Sequence, residues 1–433
     1  MFINWMGGSL ATVRKRTLIW ALAALGACLA MNAYHYSLEG AKGLYLWNRT
    51  GMFRGLILMG FIPLSVAILS LPLEKLKSKR ASGIVRGLSI VLSALVILAS
   101  SGLAALLVAG PRMGSLEPAR LELIDPSKGI APRGALATAS LTPAFESGSS
   151  SANNARSPIV PAAALLRLSF SSDPHWGVDN SNASARTNIL ASVAEHKPDA
   201  FFMLGDTVET GSKAMQWNFA LSDLEAIIPK VPLRPLMGNH DALLGGQYLF
   251  RKAFFPSSFS SNSGSPYYYS IDAKAATIVV INLPWGTESF GRRQKAWLED
   301  VLKTADRTKP LIALSHSYFY ASGYDDPDLD KPWYDHYQNI PALSPLFEKY
   351  GVDLVVSGHN HYQEYLEHNG VRYAIIGAMG GKSDPEPAYI SPASKWLAVA
   401  SFGRLDLDVL ATEVVLSFRD ENGELLHEER FGY

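Results

Sequence analysis

Five short apolar segments of this chain each end in an aspartate, an asparagine or a histidine, and this repeated ending restricts the possible folds more than any other feature. The segments are short and bounded by glycine or polar residues, which predicts buried β-strands. Because ligand-binding groups gather at the carboxyl ends of strands in open α/β sheets, we expect the five endings to meet. The segments are LLRLSFSSDPH (165–175), DAFFMLGD (199–206), VPLRPLMGNHD (231–241), KPLIALSH (309–316) and VDLVVSGHNH (352–361).

The polar endings carry oxygen and nitrogen donors and no thiolate, because the only cysteine, Cys28, lies far away in the sequence. This mixture of donors suits Mn, Fe or Zn rather than Ca or a sulfur-bound metal. A single His-x-His pair is weak evidence for a metal site, since ordinary loops contain such pairs. Five ligand-type endings in succession are hard to explain as separate loop caps, so the sequence predicts a metal centre.

The ordered motifs SDPH, GDTVE, GNHD, SH and GHNH resemble those of the calcineurin-like metallophosphoesterases, over about residues 163 to 410. The stretches SPYYYSIDAKAATIVVINL (265–283) and RRQKAWLEDVL (292–302) are similar to accessory elements of one branch. That branch holds the purple acid phosphatases and cyclic-nucleotide phosphodiesterases. Purple enzymes carry a tyrosine ligand three residues after the GD aspartate, where this chain has Glu209. We therefore do not expect an iron–tyrosinate centre.

The resemblance implies two metal ions, divalent or trivalent, that share one bridging carboxylate. The bridge would be Asp206, and three further protein ligands would complete each position. The neutral asparagine among them supplies an oxygen without charge, which leaves the centre electropositive for a phosphate. The remaining ligands would be Asp173, His175 and His361 at the first metal position, and Asn239, His316 and His359 at the second.

The resemblance also implies a catalytic role for His240, whose counterpart in the family contacts the phosphoryl group and can protonate the leaving oxygen. The next residue, Asp241, would orient the imidazole and favour its protonated form. A loop or helix cap is the alternative interpretation of Asp241. For His240 the alternative is a purely structural histidine.

An aromatic stretch, YFYASGYDDPDLDKPWYDHY (318–337), lies between the fourth and fifth motifs. Its position predicts a loop that overhangs the metal centre. Two of its residues, Tyr318 and His336, are candidates for lining a substrate pocket. The alternative is that these aromatic side chains only cover the domain.

The first 110 residues have a different composition and contain three long apolar stretches, at about residues 17–36, 55–73 and 86–110. A bilayer core about 30 Å thick needs about 20 apolar residues in a helix, so we expect three transmembrane helices. The first stretch follows Arg14, Lys15 and Arg16, as in a cleaved signal peptide. It lacks a clean small-x-small cleavage site, which favours an uncleaved anchor.

Basic residues crowd the short loop at residues 74–87, where Lys75, Lys77, Lys79 and Arg80 occur together. The positive-inside rule then places this loop and the amino terminus in the cytoplasm. Three spans put everything after residue 110 on the extracytoplasmic side. We therefore expect an integral membrane protein with an outward-facing domain.

Residues 111–162 form the connection, and its stretch 136–164 is rich in alanine, serine, proline and asparagine, which predicts a flexible linker. The one patterned stretch before it, ARLELIDP (119–126), predicts a strand or a juxtamembrane turn. Residues 163–433 would form one calcineurin-like metallophosphoesterase domain of α/β class. Strands alternate with amphipathic stretches at first, and a strand-rich tail follows. This order indicates two mixed sheets face to face with helices outside, a four-layer α-β-β-α sandwich.

Together these features predict a membrane-anchored, dinuclear-metal phosphoesterase. It would hydrolyse phosphomonoesters or phosphodiesters by attack of a hydroxide held between the metals, on small-molecule or lipid-linked substrates. The formal net charge is zero, so nothing indicates a nucleic-acid partner. The alternative is a metal-dependent binding or scaffold module of the same fold without turnover. Such a module would be expected to lose ligands or the GNHD histidine, and this chain keeps all of them.

Overall fold

The computed structural model describes residues 10–49, 57, 59–60, 115–131, 133, 163–178, 181–255, 259–287, 289–326, 331–333, 338–384 and 386–433. These residues fall into two compact units. The smaller unit includes the amino-terminal helix. The larger unit comprises Leu116–Thr210, Met215–Ala242 and Phe250–Tyr433 and contains all five predicted motifs.

The helices and strands are numbered here in chain order, and a short 3₁₀ turn at Leu243–Gly245 is left without a number. The helices are α1 (Leu10–Arg49), α2 (Ala183–His196), α3 (Ala214–Ile227), α4 (Asn239–Ala242), α5 (Gln247–Phe254), α6 (Arg292–Thr304) and α7 (Asn339–Tyr350). The strands are β1 (Leu166–Ser171), β2 (Ala200–Met203), β3 (Leu233–Pro235), β4 (Tyr269–Asp272), β5 (Thr277–Val280), β6 (Pro284–Thr287), β7 (Leu311–Leu314), β8 (Tyr324–Asp326), β9 (Lys331–Trp333), β10 (Leu354–Ser357), β11 (Gln363–His368), β12 (Val371–Ile376), β13 (Ser394–Ala398), β14 (Gly403–Val409), β15 (Glu413–Asp420) and β16 (Leu425–Gly432).

The amino-terminal helix α1 contains the first predicted span. Its stretch Lys15–Tyr34 has a mean hydropathy of 1.6 and is long and apolar enough to cross a membrane. A signal sequence or a core helix of a soluble protein can have the same length and composition. Apart from residues 57, 59 and 60, the predicted spans at 55–73 and 86–110 lie outside the described residues. Among the described residues there is thus one candidate span, compared with the three predicted from the sequence.

The first sheet has six strands in the order β16-β15-β14-β1-β2-β3. Strands β1, β2 and β3 run parallel, and Phe170 of β1 lies opposite Phe202 of β2. Strand β14 joins β1 in antiparallel orientation, and β15 and β16 continue that pattern. The sheet is therefore mixed, and its three parallel strands are the first three segments that were predicted to end in ligands.

The second sheet has seven strands in the order β13-β11-β12-β10-β7-β5-β4. Its central strands β5, β7, β10 and β12 run parallel, with Val356 of β10 opposite Leu314 of β7. Strands β4, β11 and β13 are added in antiparallel orientation. Strands β7 and β10 are the other two segments that were predicted to end in ligands.

Each sheet is covered on one face by the other sheet and on the opposite face by helices. This explains why the central strands are continuous apolar runs. The strands β2, β7 and β10 are buried along their whole length. Strand β14 contacts α2 and also β12 of the other sheet, so the two sheets face each other. Leu298 of α6 and Phe347 of α7 pack in the core of the seven-stranded sheet. The predicted pair of mixed sheets with helices outside is confirmed.

Part of the predicted linker belongs to the domain. The segment from Leu116 to Arg133, here called the edge segment, hydrogen-bonds to both sheets. Ile124 N–H donates to Leu233 O (3.0 Å) beside β3, and Ile130 N–H donates to Asp272 O (3.2 Å) beside β4. Its Ile124 and Ile130 side chains are buried. The pairing of Glu122 and Ile124 with Leu233 lies within ARLELIDP (119–126), the patterned stretch for which the sequence predicts a strand or a turn.

Candidate metal centre

The loops that follow the parallel strands of the two sheets meet at one place. Asp173 follows β1, Asp206 follows β2 and Asn239 follows β3, while His316 follows β7 and His359 follows β10. His316 Nε2 lies 3.5 Å from Asp206 Oδ2, which joins a ligand-type residue of one sheet to one of the other. The carboxyl ends of parallel strands share one sheet edge, so this convergence is a direct consequence of the topology.

Four of these loop residues adopt a backbone conformation that side chains other than glycine rarely take. The φ angles are 58° at Asp173, 46° at His175, 49° at Asp206 and 69° at His359. Such conformations cost free energy and persist where the surrounding structure enforces them, often at functional sites. The strain supports the view that these four side chains are held in place for a purpose other than stability.

The first metal position is formed by side chains that face one another without making full hydrogen bonds. His361 Nε2 lies 3.4 Å from Asp173 Oδ1, and His175 Nε2 lies 3.7 Å from Asp206 Oδ2. Atoms that bind one metal at about 2.1 Å lie roughly 3.0–3.8 Å apart for bond angles between about 90° and 130°, so the spacing fits a cation at the centre. Within the described residues, Asp173 Oδ1 and His175 Nε2 are buried and have no hydrogen-bond partner.

The second metal position lies on the other side of Asp206. His316 Nε2 is 2.9 Å from Asn239 Oδ1, 3.2 Å from His359 Nδ1 and 3.5 Å from Asp206 Oδ2. One nitrogen is thus surrounded by three potential ligand atoms at short range. Asp206 Oδ2 lies 3.7 Å from His175 Nε2 of the first position and 3.5 Å from His316 Nε2 of the second, as a bridging carboxylate would.

Buried histidines at both positions face anions. Burial opposes the charged form of His175, but the nearby carboxylates of Asp173, Glu209 and Asp206 outweigh it and raise the pKa of His175 to about 10. Burial likewise opposes the charged form of His316, but Asp206 raises its pKa to about 9. A bound cation would take the place of these protons, because metal ligands must be deprotonated.

The groups that hydrogen-bond to the ligand-type histidines are here called outer partners. At the first position they are two carboxylates and a carbonyl. Glu209 Oε2 accepts a hydrogen bond from His175 Nδ1 (2.8 Å), and Asp384 Oδ2 accepts one from the His361 backbone N–H (2.9 Å). The Lys382 carbonyl accepts a hydrogen bond from His361 Nδ1. Asp384 and Lys382 were not predicted from the sequence. The one available signal was the glycine-rich stretch GAMGG (377–381) after an apolar run.

The outer partners of the second position are neutral. The Leu204 carbonyl accepts a hydrogen bond from His316 Nδ1 (2.9 Å). The ring of Tyr318 stacks on the ring of His359, with centroids 5.7 Å apart and an interplanar angle of 23°. Tyr318 was predicted as a pocket residue and does lie at the centre, although it is only 8% exposed. The other candidate, His336, lies outside the described residues.

His240 stands beside both positions. Its backbone N–H donates to Asp206 Oδ1 (2.8 Å), and its Nδ1 donates to the Glu209 carbonyl (2.8 Å). The Glu209 carboxylate lies 3.5 Å from the same Nδ1. Because a carbonyl only accepts hydrogen bonds, Nδ1 carries a proton and Nε2 is left for a substrate.

Asp241 does not orient His240. Its carboxylate is buried and accepts hydrogen bonds from the backbone N–H groups of Val208 (3.1 Å) and Gly238 (3.0 Å). Burial, together with the charge of Asp206, raises the pKa of Asp241 to about 7. Of the two interpretations drawn from the sequence, the hydrogen bonds support the cap. The residue that orients His240 is Glu209.

Comparison with known proteins agrees with this geometry. The profile of the calcineurin-like phosphoesterase family matches residues 166–363. The Fe(3+)-Zn(2+) purple acid phosphatase 12 of Arabidopsis thaliana is 32% identical over 141 residues, which cover 30% of this chain and 28% of that protein. Human tartrate-resistant acid phosphatase type 5 is 23% identical over 261 residues, 54% of this chain and 76% of that protein.

A solved structure shows the same fold. Purple acid phosphatase PPD1 from yellow lupin (Lupinus luteus) superposes with a TM-score of 0.52 at 20% identity, over 62% of this chain and 53% of that one. The chain spans about a third or less of the length of the plant relatives that it matches in sequence. The matched segment, the two mixed sheets and the converging ligand-type residues agree with one another, and the chain therefore carries a calcineurin-like phosphoesterase domain with purple acid phosphatase homologues.

Proposed function

We propose that this protein is a membrane-anchored hydrolase of phosphoric esters with a two-metal centre made of Mn, Fe or Zn. The observation that carries the proposal is the position of Asp206, whose Oδ2 lies 3.7 Å from His175 Nε2 and 3.5 Å from His316 Nε2, with His240 beside it. The proposed ligands are the sequence-predicted ones: Asp173, His175, Asp206 and His361 at the first position, and Asp206, Asn239, His316 and His359 at the second.

The donor chemistry supports two hard or intermediate cations. When bound, a metal pair supplies Lewis-acid polarisation of phosphoryl oxygens and a water of lowered pKa. The protein holds the donors for that pair in fixed orientation. Glu209 and Leu204 engage Nδ1 of His175 and His316, which leaves Nε2 of each imidazole as the donor.

His240 is proposed as the group that protonates the leaving oxygen. Its Nδ1 proton is fixed on the Glu209 carbonyl, so Nε2 is the nitrogen that can carry a transferable proton. The Glu209 carboxylate, 3.5 Å away, provides a counter-charge for an imidazolium. Proton transfer by a positioned side chain contributes about 10²- to 10⁴-fold to a rate.

The test uses the full-length protein in detergent. We would remove metals with a chelator, add back Mn, Fe, Zn or Mg singly, and measure hydrolysis of p-nitrophenyl phosphate and bis-p-nitrophenyl phosphate. Metal-restored turnover of either ester is expected, and the preferred ester divides phosphomonoesterase from phosphodiesterase. Vesicles that contain a phosphorylated lipid extend the assay to lipid-linked substrates. If two metals bind per chain and no ester is hydrolysed, the binding-module alternative replaces the proposal.

The membrane part of the proposal rests on the apolar helix α1 and on the basic residues of the sequence. An extracytoplasmic domain is testable because the chain has one cysteine, Cys28. In a Cys28→Ser background, Asn422→Cys introduces a thiol at an exposed turn of the domain. A membrane-impermeant maleimide should label this thiol in intact cells. Labelling only after cell lysis would place the domain on the cytoplasmic side.

A further inference from the structure

The segment that follows β12, from Gly377 to Asp384, runs beside the first metal position and lies outside residues 166–363. We propose that this glycine segment holds the ligands of the first metal position in place and is required for metal binding there. The inference rests on the proposed two-metal function and deepens it. Two sets of hydrogen bonds, the lack of space at Gly381 and the constrained backbone at Ala378 support it.

The first set of contacts is between backbones. Met379 N–H donates to the Ser172 carbonyl (2.6 Å), and Gly381 N–H donates to the Asp173 carbonyl (2.9 Å). On its other side, the Gly380 carbonyl accepts from Asn182 N–H (2.7 Å). The glycine segment is therefore paired along the loop that carries Asp173, and it holds that loop in its left-handed conformation.

The second set of contacts acts on His361. Asp384 Oδ2 accepts the His361 backbone N–H (2.9 Å), and the Lys382 carbonyl accepts the Nδ1 proton. Because the carbonyl requires the proton on Nδ1, Nε2 keeps its lone pair and faces Asp173 Oδ1 at 3.4 Å. The glycine segment thereby selects the tautomer of His361 that can bind a metal.

The third observation concerns space at Gly381. A β-carbon there would lie 2.5 Å from Asp173 O, 2.8 Å from His175 Cδ2 and 3.4 Å from His361 Cε1. All three residues are ligands of the first position. The φ angle of Gly381 is outside the left-handed region, so the requirement for glycine is one of space and not of backbone conformation.

A further feature indicates that the segment is held under constraint. Ala378 has a φ angle of 71°, which is unfavourable for alanine. Its neighbour Gly377 donates its N–H to the Tyr362 carbonyl (3.0 Å), directly after the GHNH motif. The segment is thus fixed at one end beside His361 through Tyr362, and at the other through Asp384.

The test measures metal binding by the full-length protein in detergent, by stepwise titration of the metal-free form with Zn²⁺ in a metal buffer. We expect Gly381→Ala to lose one of two binding steps. Asp384→Ala should weaken one step about 10- to 100-fold, as loss of an outer partner does. Asp384→Asn keeps an acceptor oxygen for the His361 N–H and should lie between Asp384→Ala and the parent. Gly291→Ala is the matched control, because nothing lies within 4 Å of its β-carbon position.

Two double variants identify the affected position. With His359→Ala, which disables the second position, Asp384→Ala should weaken the one remaining step. With Asp173→Ala, which disables the first position, Asp384→Ala should leave the remaining step unchanged. The melting temperature of the metal-free proteins serves as the readout for a merely structural role, and we expect Asp384→Ala to match the parent.

The proposal is overturned if Asp384→Ala binds both metals like the parent, or if it weakens both steps equally. If Gly381→Ala does not fold, the Asp384 variants still decide the question. The proposed function fails separately: if the parent binds two metals and hydrolyses no ester, while the Asp384 variants lose one step, the role of the glycine segment stands without the activity.

Discussion

The two proposed metal positions share Asp206 but differ in the charge around them. At the first position, carboxylates occur both among the ligands, in Asp173, and among the outer partners, in Glu209 and Asp384. At the second position, the unshared ligands Asn239, His316 and His359 are neutral, and so are the two partners described above, the Leu204 carbonyl and the Tyr318 ring. Negative charge stabilises a bound cation, so we expect the first position to bind metal more tightly and the second to exchange more readily. We therefore expect one tightly held metal and one that is easier to replace.

The largest expected effect comes from the residue that both positions share. Asp206→Asn removes the bridging charge, so metal content should fall below two per chain and kcat/KM by at least about 10³-fold, because several kcal/mol of stabilisation depend on the metals. Elemental analysis and steady-state assays measure both quantities. A variant that keeps two metals and parental turnover would remove the basis for treating the two positions as one centre.

The next effect concerns His240, which is not a proposed metal ligand at either position. His240→Ala should lower kcat by about 10²- to 10⁴-fold while both metals stay bound. The loss should be larger for phenyl esters than for p-nitrophenyl esters, since a poor leaving group needs protonation more. Equal losses for both esters would argue against a proton donor at residue 240.

A smaller change tests the charged surroundings of the first position. Glu209→Gln keeps the size of the side chain and removes the charge next to His175. We expect one metal-binding step to weaken about 10- to 100-fold while the other is unchanged. Stepwise titration with Zn²⁺ separates the two steps. Equal weakening of both steps would mean that the charge of Glu209 is not specific to the first position.

The smallest expected change makes the two positions more alike. Asn239→Asp adds a carboxylate to the second position and should tighten the weaker step roughly tenfold, about 1.4 kcal/mol. The added charge should also make the centre less attractive to a phosphate, so kcat/KM should fall while affinity for metal rises. A rise in both quantities would contradict the proposed use of a neutral ligand at this place.

The strand endings were the part of the centre that the sequence could predict. A buried parallel strand has a recognisable apolar pattern, and its carboxyl end has a known location in the sheet. The pattern therefore predicts from the sequence alone that five side chains meet, those of Asp173, Asp206, Asn239, His316 and His359. The mixed sheets followed from the same alternation of strands and helices.

The features that could not be predicted from the sequence depend on backbone contacts or on the direction in which a side chain points. Asp241 follows His240 directly, yet its carboxylate turns towards Val208 N–H and Gly238 N–H, which adjacency in sequence does not reveal. Asp384 is more than twenty residues from His361 and contacts its backbone. The edge segment pairs through main-chain groups, and these are the same in every residue. Composition carries little information about such contacts.

The edge segment changes what a cut in the chain would do. Arg133 N–H donates to the Leu165 carbonyl (3.3 Å), so residues 133 and 165, which flank the intervening segment of the sequence, lie side by side in the domain. If the domain began only after this segment, one proteolytic cut between residues 133 and 165 would release a soluble enzyme. Here the piece before the cut would stay paired with β3 and β4, and the nicked domain would remain attached to its amino-terminal region. Shedding of this domain would need a cut before residue 116.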